Sequence, residues 1–441
     1  MRADLVDFMK RPAVAAAVSV LILRGLTLAS RFLLSLLLAR MLSPAEMGQY
    51  GLLTAALAFA LLAIGLEFYS YTLREMVPAT PAQRTRIIAD QVTLATIALL
   101  IVGVFFLAAI LAGLFPTRLP PWFLLILFTE HVSLEATRIL IITWRPVRAY
   151  IGVFLRGGIW VYAMAVVMFT TPSTRTLETV LIWWAFGGIL SIGFAAFSLS
   201  ELPWRELRGY RPDWNAIVAG LRTARPFMLT AVGALTISYV DRFVIDGFVG
   251  REALGIYTFY SSISIGLLSL GASVSHQFLP KIISGYAAGV EAYRAAARSF
   301  FWSLFVLGAG TSIVSGLVMQ PMLTLLGLSE YASGIWVFYL MLPGVFLRIL
   351  ADVPSYALYA ARADNWLLIC NLGAALISVV LNLALVPALG IYGAALTSGA
   401  ASAVLLASLT VLAGRTVRNY PVEAPVPTLA GLPTDPDMLY P

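Results

Sequence analysis

Six arginines lie inside apolar runs that are long enough to cross a membrane. They are Arg24, Arg31, Arg138, Arg156, Arg242 and Arg348. A charge near the bilayer centre costs at least ~2.5–3.5 kcal/mol on insertion scales, so each arginine needs a polar cavity, a counter-charge or the interface. The planar guanidinium group binds phosphate through two parallel hydrogen bonds. The chemistry that these residues suggest is therefore the binding of an anionic, phosphorylated substrate.

Arg24 and Arg31 are the most informative pair, because their apolar run contains no acidic residue. They are seven residues apart, about two helical turns, so they lie on one helix face with Thr27 between them. Each must find a partner on another helix or face water. We expect both side chains to line a polar cavity and to bind substrate.

Three further arginines are candidate substrate ligands with an open alternative. Arg138 and Arg156 lie toward the predicted cytoplasmic ends of their runs, where they could equally extend to the interface. Arg348 lies just beyond Pro343 in the predicted cytoplasmic half of its run. Asp352, four residues later, could neutralise Arg348 on the same helix face.

The acids inside the runs suggest proton coupling. His131, Glu135 and Arg138 follow i, i+4, i+7 spacing and form one polar stripe. A buried glutamate beside a histidine is typical of a proton relay, and a static polar network between helices is the alternative. Glu67, which we place near the outer end of its run, is a further proton or cation candidate and could equally reach interfacial water.

Twelve apolar runs of membrane-spanning length organise the chain. They cover 14–38, 48–69, 89–114, 121–143, 149–171, 178–200, 226–249, 254–279, 297–319, 333–357, 366–388 and 391–413. Between the runs, 19 basic residues lie in one set of alternate gaps and only four in the other set, namely Arg40, Arg118, Arg175 and Arg251. Because arginine-rich short loops stay cytoplasmic, both termini are predicted to be cytoplasmic.

Composition excludes several classes of protein. Hydrophobic residues make up 60% of the chain and charged residues 12%, about half the charged share of a soluble domain. The basic excess is explained by membrane topology, so no nucleic-acid partner is expected. One cysteine and two histidines predict no metal site, and no nucleotide-binding loop or nucleophile motif occurs. We expect no enzymatic activity and no cofactor.

The runs fall into two halves of six. We predict an N-terminal six-helix lobe over 1–200, a cytoplasmic interfacial linker over 201–225, a C-terminal lobe over 226–414 and a disordered cytoplasmic tail over 415–441. Because six is even, the halves enter the membrane in the same sense. This arrangement predicts a pseudo-twofold axis along the membrane normal and a central cavity.

A repeated pattern supports an internal duplication. Gly48 and Tyr50 follow the first run, and Gly255 and Tyr257 follow the seventh at the same relative position. The tetrapeptide LGIY at 254–257 recurs at 389–392, which adds Gly390 and Tyr392. Glycine permits a tight reversal or close packing, and tyrosine is favoured at the membrane interface.

The stretches that carry this pattern resemble a known family. LARMLSPAEMGQYGLLTA (38–55), YVDRFVIDGFVGREALGIYTFYSS (239–262) and NLALVPALGIYGAALTS (382–398) are similar to segments of Wzx-type polysaccharide flippases, within the MATE-like multidrug/oligosaccharidyl-lipid/polysaccharide exporter superfamily. Within the second stretch, Asp241 and Arg242 are expected to stabilise a helix junction rather than to contact substrate.

The resemblance implies an all-α integral membrane protein of about twelve helices in the bacterial inner membrane. It would move undecaprenyl-pyrophosphate-linked oligosaccharide from the cytoplasmic to the periplasmic leaflet by alternating access. Its partners would be this substrate, membrane lipids and, further along the pathway, a polysaccharide polymerase and a chain-length regulator.

Two other functions remain open at this stage. The first is a proton- or cation-coupled drug antiporter of the same superfamily, which fewer intramembrane arginines would have favoured. The second is a membrane polymerase or glycosyltransferase of the same pathway, which would normally carry a substantial periplasmic loop. No gap on the predicted outer side is that long.

Overall fold

The computed structural model describes residues 12–76, 79–113, 120–143, 145–201, 204–207 and 209–418. All regular elements in these ranges are helical. The first half contains α1 (Pro12–Met41), α2 (Pro44–Gly65), α3 (Tyr69–Met76), α4 (Pro81–Leu111), α5 (Pro120–Ile142), α6 (Pro146–Phe154), a π-helical turn (Leu155–Ile159), α7 (Trp160–Thr170), a 3-10 turn (Pro172–Thr174) and α8 (Leu177–Leu199).

The second half begins after the 3-10 turn Trp204–Leu207. It contains α9 (Trp214–Phe248), α10 (Arg251–Ala288), α11 (Val290–Leu326), α12 (Ser329–Ala332), α13 (Ile335–Leu350), α14 (Asp352–Ala360), α15 (Asp364–Leu389) and α16 (Ile391–Arg418). The predicted apolar runs coincide with these helices, and the runs 48–69, 149–171 and 333–357 each extend over more than one element. The all-α membrane fold is therefore confirmed.

Eleven helical segments in the described residues are long and apolar enough to cross a membrane. The predicted span that falls outside this set is α5, which has 23 residues but carries Glu130, His131, Glu135 and Arg138. At about 1.5 Å per residue, α5 still exceeds the ~30 Å hydrocarbon core. Its polar side chains are largely buried against other helices, so twelve crossings remain compatible with the structure.

The predicted linker over 201–225 is only partly irregular. Helix α9 begins at Trp214 and continues through Pro226, so the second part of this segment extends the seventh span. Proline within a helix removes one backbone hydrogen bond and tends to kink the chain, but here the helix does not end. The predicted disordered tail over 415–441 begins too early, because α16 continues to Arg418, and the residues from 419 onward lie outside the described part of the chain.

The chain divides into two compact units. Among the described residues, the first comprises 12–34 and 59–225, and the second comprises 35–58 and 226–418. The segment 35–58 therefore packs with the second-half helices, although the sequence places it in the N-terminal lobe. Contacts between the segment 35–58 and helices about 200 residues later in the chain place it in the second unit. Local sequence patterns do not predict such contacts.

Helices of the first unit approach closely at small residues of α8. A Cβ atom on Gly187 would overlap Trp160, and one on Gly188 would lie 2.5 Å from the Thr129 hydroxyl oxygen. Membrane helices use such small residues because van der Waals packing replaces the hydrophobic effect as the force between them. Gly188 thereby brings α8 against α5, the helix that carries the polar stripe.

The second unit contains a continuous apolar core. Phe300 and Leu304 of α11 pack in one cluster with Leu358 of α14 and with Leu405 and Leu409 of α16. At Gly344 of α13, an added Cβ would lie 2.9 Å from the Cα atom of Gly399. These contacts hold α13, which carries Arg348, against α16.

Candidate functional site

Arg24 of α1 lies against Tyr150 of α6. Its guanidinium carbon is 4.5 Å from the centre of the Tyr150 ring, and its Nη2 donates a hydrogen bond to the Tyr150 hydroxyl group. Arg24 forms no ion pair with a carboxylate in the described part of the chain. The ring and the hydroxyl group are neutral, so they orient the cation without an opposing charge.

Arg31 faces the same neighbouring segment two turns further along. A Cβ atom on Gly157 would lie 3.9 Å from Nε and Nη2 of Arg31 and from Cγ2 of Thr27. Tyr150 and Gly157 are seven residues apart, as are Arg24 and Arg31. The predicted common face of the two arginines is therefore a face that α1 presents to α6 and the π-helical turn.

The π-helical turn Leu155–Ile159 lies beside Arg31 and was not predicted. Such turns insert one residue into a helix and are frequent at functional sites. Gly158, within the turn, leaves room for the Phe154 ring. A Cβ atom added to Gly158 would overlap that ring and would lie 3.2 Å from the Ser30 hydroxyl oxygen. The signal for this turn in the sequence was the pair of adjacent glycines, Gly157 and Gly158, in the middle of a predicted span.

Arg156 has a carboxylate partner that the sequence analysis did not identify. Its Nε lies 3.5 Å from Glu130 Oε2, and both side chains are almost fully buried. Trp184 Nε1 donates to the other carboxylate oxygen at 2.8 Å. Arg156 therefore does not extend to the interface, and its charge is balanced within the first unit.

Arg138 belongs to a second ion-pair network. Its Nη1 donates to Glu135 Oε1 at 2.7 Å, and its Nη2 is 3.9 Å from Glu67 Oε1. Gln91 Nε2 donates to Glu135 Oε2 at 2.5 Å. Because both carboxylate oxygens of Glu135 accept hydrogen bonds, these contacts match the static-network interpretation better than a proton relay.

The two remaining proton candidates differ in environment. His131 is buried, and its Nδ1 has no hydrogen-bond partner in the described residues. Glu67 lies two residues after Gly65, the last residue of α2, and has a positive φ of 52°. Glu67 lies at the end of α2 opposite to Pro44, and its proposed role as a proton or cation site stays a prediction.

Arg348, in the second unit, lines a small cavity of about 50 Å³. Hydroxyl groups of Ser264, Ser398 and Ser402 and the Asp241 carboxylate share this lining. Arg348 makes no hydrogen bond or ion pair to a described residue. Asp352, its proposed partner, instead accepts a hydrogen bond from Ser275 at 2.6 Å. The Arg348–Asp352 ion pair considered from the sequence is not formed.

Asp241 and Arg242 make the structural contacts expected of them. The Tyr257 hydroxyl group donates to the Asp241 carboxylate. Arg242 Nη1 donates to the carbonyl oxygen of Gly51 at 3.0 Å and to the hydroxyl oxygen of Thr54 at 2.6 Å. Arg242 thus holds α2 against α9 and α10 within the second unit.

The three glycines of the repeated pattern have different structural roles. Added Cβ atoms on Gly48 and Gly255 would overlap the carbonyl oxygens of Arg251 and Pro44, so both glycines permit close helix packing. Gly390 has a positive φ of 58° and separates α15 from α16. Tyr392, just after it, donates to the Ser333 carbonyl oxygen at 3.4 Å.

A larger cavity of about 790 Å³ lies elsewhere in the first unit and was missed by the sequence analysis. It is lined by Glu75, Arg86, Asp90, Tyr210 and Asp213, among others. Asp90 accepts hydrogen bonds from the Tyr210 hydroxyl group at 2.5 Å and from the Asp213 backbone at 3.1 Å. The sequence signal was an aspartate near the polar start of a helix whose remainder is apolar.

The Asp90 contacts also change the acidity of Tyr210. Burial, which disfavours the phenolate, and the hydrogen bond to Asp90 together raise the pKa of Tyr210 to about 12. On the exposed side of the same unit, a hydrogen bond from Arg148 lowers the pKa of Glu201. These polar contacts attach Glu201, Tyr210 and Asp213 to first-unit helices.

Neither a family model nor a curated protein matches the sequence. Solved structures do match the fold. An inward-facing multidrug resistance MATE family transporter of the MOP superfamily has a TM-score of 0.72 at 13% identity, covering 90% of this chain and 98% of that one. The lipid II flippase MurJ in an inward closed conformation has a TM-score of 0.70 at 13% identity, covering 92% and 90%.

A mutant of the Vibrio cholerae MATE transporter VcmN also matches, with a TM-score of 0.57 at 12% identity over 93% of this chain and 99% of that one. The MATE-like fold expected from the sequence resemblance is therefore confirmed. Identities this low demonstrate a shared fold and leave the substrate open.

Proposed function

We propose that this protein is a membrane transporter of the MATE-like exporter fold that translocates a lipid-linked oligosaccharide with a pyrophosphate linkage. The observation that carries the proposal is the contrast among its intramembrane arginines. Glu135 and Glu130 neutralise Arg138 and Arg156, whereas no carboxylate of a described residue lies at ion-pair distance from Arg24 or Arg348. Unneutralised guanidinium groups in apolar helices are costly unless a ligand uses them.

The chemistry of these residues suits a pyrophosphate. Arg24 is oriented by Tyr150, and Arg31 lies two turns away on the same face, so one helix carries two planar guanidinium groups on one side. Arg348, among serine hydroxyl groups, offers a further cation and neutral donors. Arg138 and Arg156 drop out as substrate ligands in this proposal, because their charges already have partners.

The shared fold with the lipid II flippase MurJ supports a lipid-linked cargo, and the fold shared with MATE transporters supports alternating access as the mechanism. The proposed location is the bacterial inner membrane with both termini cytoplasmic. A polysaccharide polymerase and a chain-length regulator are the proposed downstream partners. An ion gradient or consumption of the flipped lipid would supply the energy, because the sequence contains no nucleotide-binding loop.

The decisive experiment is complementation of a deletion strain. Arg24→Gln and Arg31→Gln should abolish surface polysaccharide and cause lipid-linked intermediates to accumulate, at normal protein level. Arg40→Gln, an exposed arginine in the last turn of the same helix, is the matched control. Full polysaccharide synthesis by the Arg24→Gln, Arg31→Gln double variant would refute the proposal.

The alternative is a small-molecule antiporter, which the similarity to a multidrug resistance transporter favours. In that case the deletion strain would keep its polysaccharide and become sensitive to cationic drugs. The same strain therefore distinguishes the two functions. Glu67→Gln with Glu135→Gln tests proton coupling, since transport that persists in this double variant would leave both acids structural.

A further inference from the structure

Helix α11 begins with an exposed cationic face. Arg294, Arg298 and Trp302 follow one another at intervals of four residues, so they lie on successive turns of one side of the helix. All three side chains are exposed. Together with Glu291 and Ser299 they line an open depression of about 460 Å³.

The two arginines of this face have no partner within the part of the chain that the structure describes. Neither Arg294 nor Arg298 forms a hydrogen bond or ion pair with a described residue. Glu291 is the one acid in the lining, so the depression keeps a net positive charge. Exposed arginines spaced in this way can bind the two sides of one phosphate group.

Trp302 marks the boundary between the charged turns and an apolar surface. Its ring contacts Phe301 and Phe305 edge-on, with centroids 5.4 Å away in each case, and 55% of the residue is exposed. Beyond it α11 exposes Val306 and Ile313. Tryptophan is enriched where headgroups meet hydrocarbon, because its ring is apolar and its N–H group is polar.

We infer that this face binds an anionic phospholipid. Arg294 and Arg298 contact the phosphodiester, and Trp302 packs against the glycerol and upper acyl carbons. Free phosphate shares the headgroup chemistry but lacks an acyl chain for Trp302. Along α11 the two arginines come first, then Trp302 and then an apolar surface. This order matches a phospholipid, with its headgroup and acyl chains, better than free phosphate. The inference requires a membrane-embedded chain and is independent of the cargo proposed above.

Native mass spectrometry of the detergent-purified chain tests this site. Phosphatidylglycerol should be retained in preference to phosphatidylcholine. Arg294→Gln with Arg298→Gln should weaken phosphatidylglycerol retention by roughly tenfold, as the loss of two headgroup cations predicts. Arg222→Gln with Arg225→Gln removes the same charge from exposed positions of α9 and should have little effect.

Equal losses in the two double variants would mean that net charge alone attracts the lipid, which overturns the site. Unchanged retention in Arg294→Gln with Arg298→Gln overturns it as well. Inorganic phosphate that displaces the lipid at millimolar concentration would assign the depression to a soluble anion instead. If the double variant fails to fold, Trp302→Ala decides: it should weaken lipid retention, and normal retention would refute the inference.

Discussion

Gly255 of α10 lies directly against the carbonyl oxygen of Pro44 at the start of α2. The reverse contact also exists, because Gly48 lies against the carbonyl oxygen of Arg251 at the start of α10. Pro44 and Arg251 are 207 residues apart, as are Gly48 and Gly255. The two contacts are therefore counterparts, as a twofold relation between these helix starts requires.

A third contact follows the same twofold relation between α2 and α10. Gly51 packs against the Thr258 side chain, and these residues are themselves counterparts at the 207-residue offset. A residue that touches its own counterpart must lie near the local twofold axis. The repeated pattern read from the sequence thus corresponds to a real packing motif between α2 and α10 within the second unit.

Gly255→Ala should destabilise the protein by about 1–3 kcal/mol, because the added methyl group overlaps a backbone carbonyl that cannot rotate away. Thermal unfolding in detergent measures the effect. Gly266→Ala on the same helix is the control, since no atom lies within 4 Å of the added carbon there. Equal melting temperatures for the two variants would contradict the packing argument.

Arg156→Gln should lower stability by about 3–5 kcal/mol, because it leaves the buried carboxylate of Glu130 without its cation. Adding Glu130→Gln should restore much of the loss, since a neutral pair needs no counter-charge. The comparison of melting temperatures for wild type, single variant and double variant checks this. A double variant less stable than the single variant would argue against the ion pair.

Arg348→Gln should behave in the opposite way. It breaks no hydrogen bond or ion pair to a described residue, so stability should change little or improve slightly. Polysaccharide complementation should nevertheless be lost if this arginine binds cargo. Normal complementation by a well-folded Arg348→Gln variant would remove Arg348 from the proposed binding site.

Tyr210→Phe should loosen the segment that follows α8, because Asp90 then loses one of its two donors. The expected cost is about 0.5–1.5 kcal/mol. Limited proteolysis should cleave the variant faster near residue 210. Tyr359→Phe, at an exposed tyrosine on α14, provides the control.

The same contact predicts a pH dependence. Because the pKa of Tyr210 rises from 10.0 to about 12 in the folded chain, the attached segment holds the phenol proton more tightly than the free segment does. Attachment is therefore strongest below pH 10 and weakens as the pH rises toward 12. The tyrosinate absorbance difference between wild type and Tyr210→Phe should titrate near the raised value, and a midpoint near 10 would contradict the burial of this group.

Local patterns in the sequence were sufficient for the membrane class, the positions of the helices and the common face of Arg24 and Arg31. Apolar runs and residue spacing act over a few turns of one helix, so they are visible in the chain itself. The repeat at Gly48 and Gly255 was also visible, although its role in close packing rather than chain reversal was not.

Tertiary packing decided which intramembrane arginines are paired with a carboxylate. Glu130 lies 26 residues from Arg156, and Glu67 lies in the turn between α2 and α3, far along the chain from Arg138, so no spacing rule pairs them. The spacing of Arg348 and Asp352 favoured an ion pair, but Ser275 on another helix binds the aspartate instead. The sequence shows which arginines lie in apolar runs, where an unpaired charge is costly. The carboxylate that offsets this cost is supplied by a neighbouring segment, and only the tertiary structure shows which one.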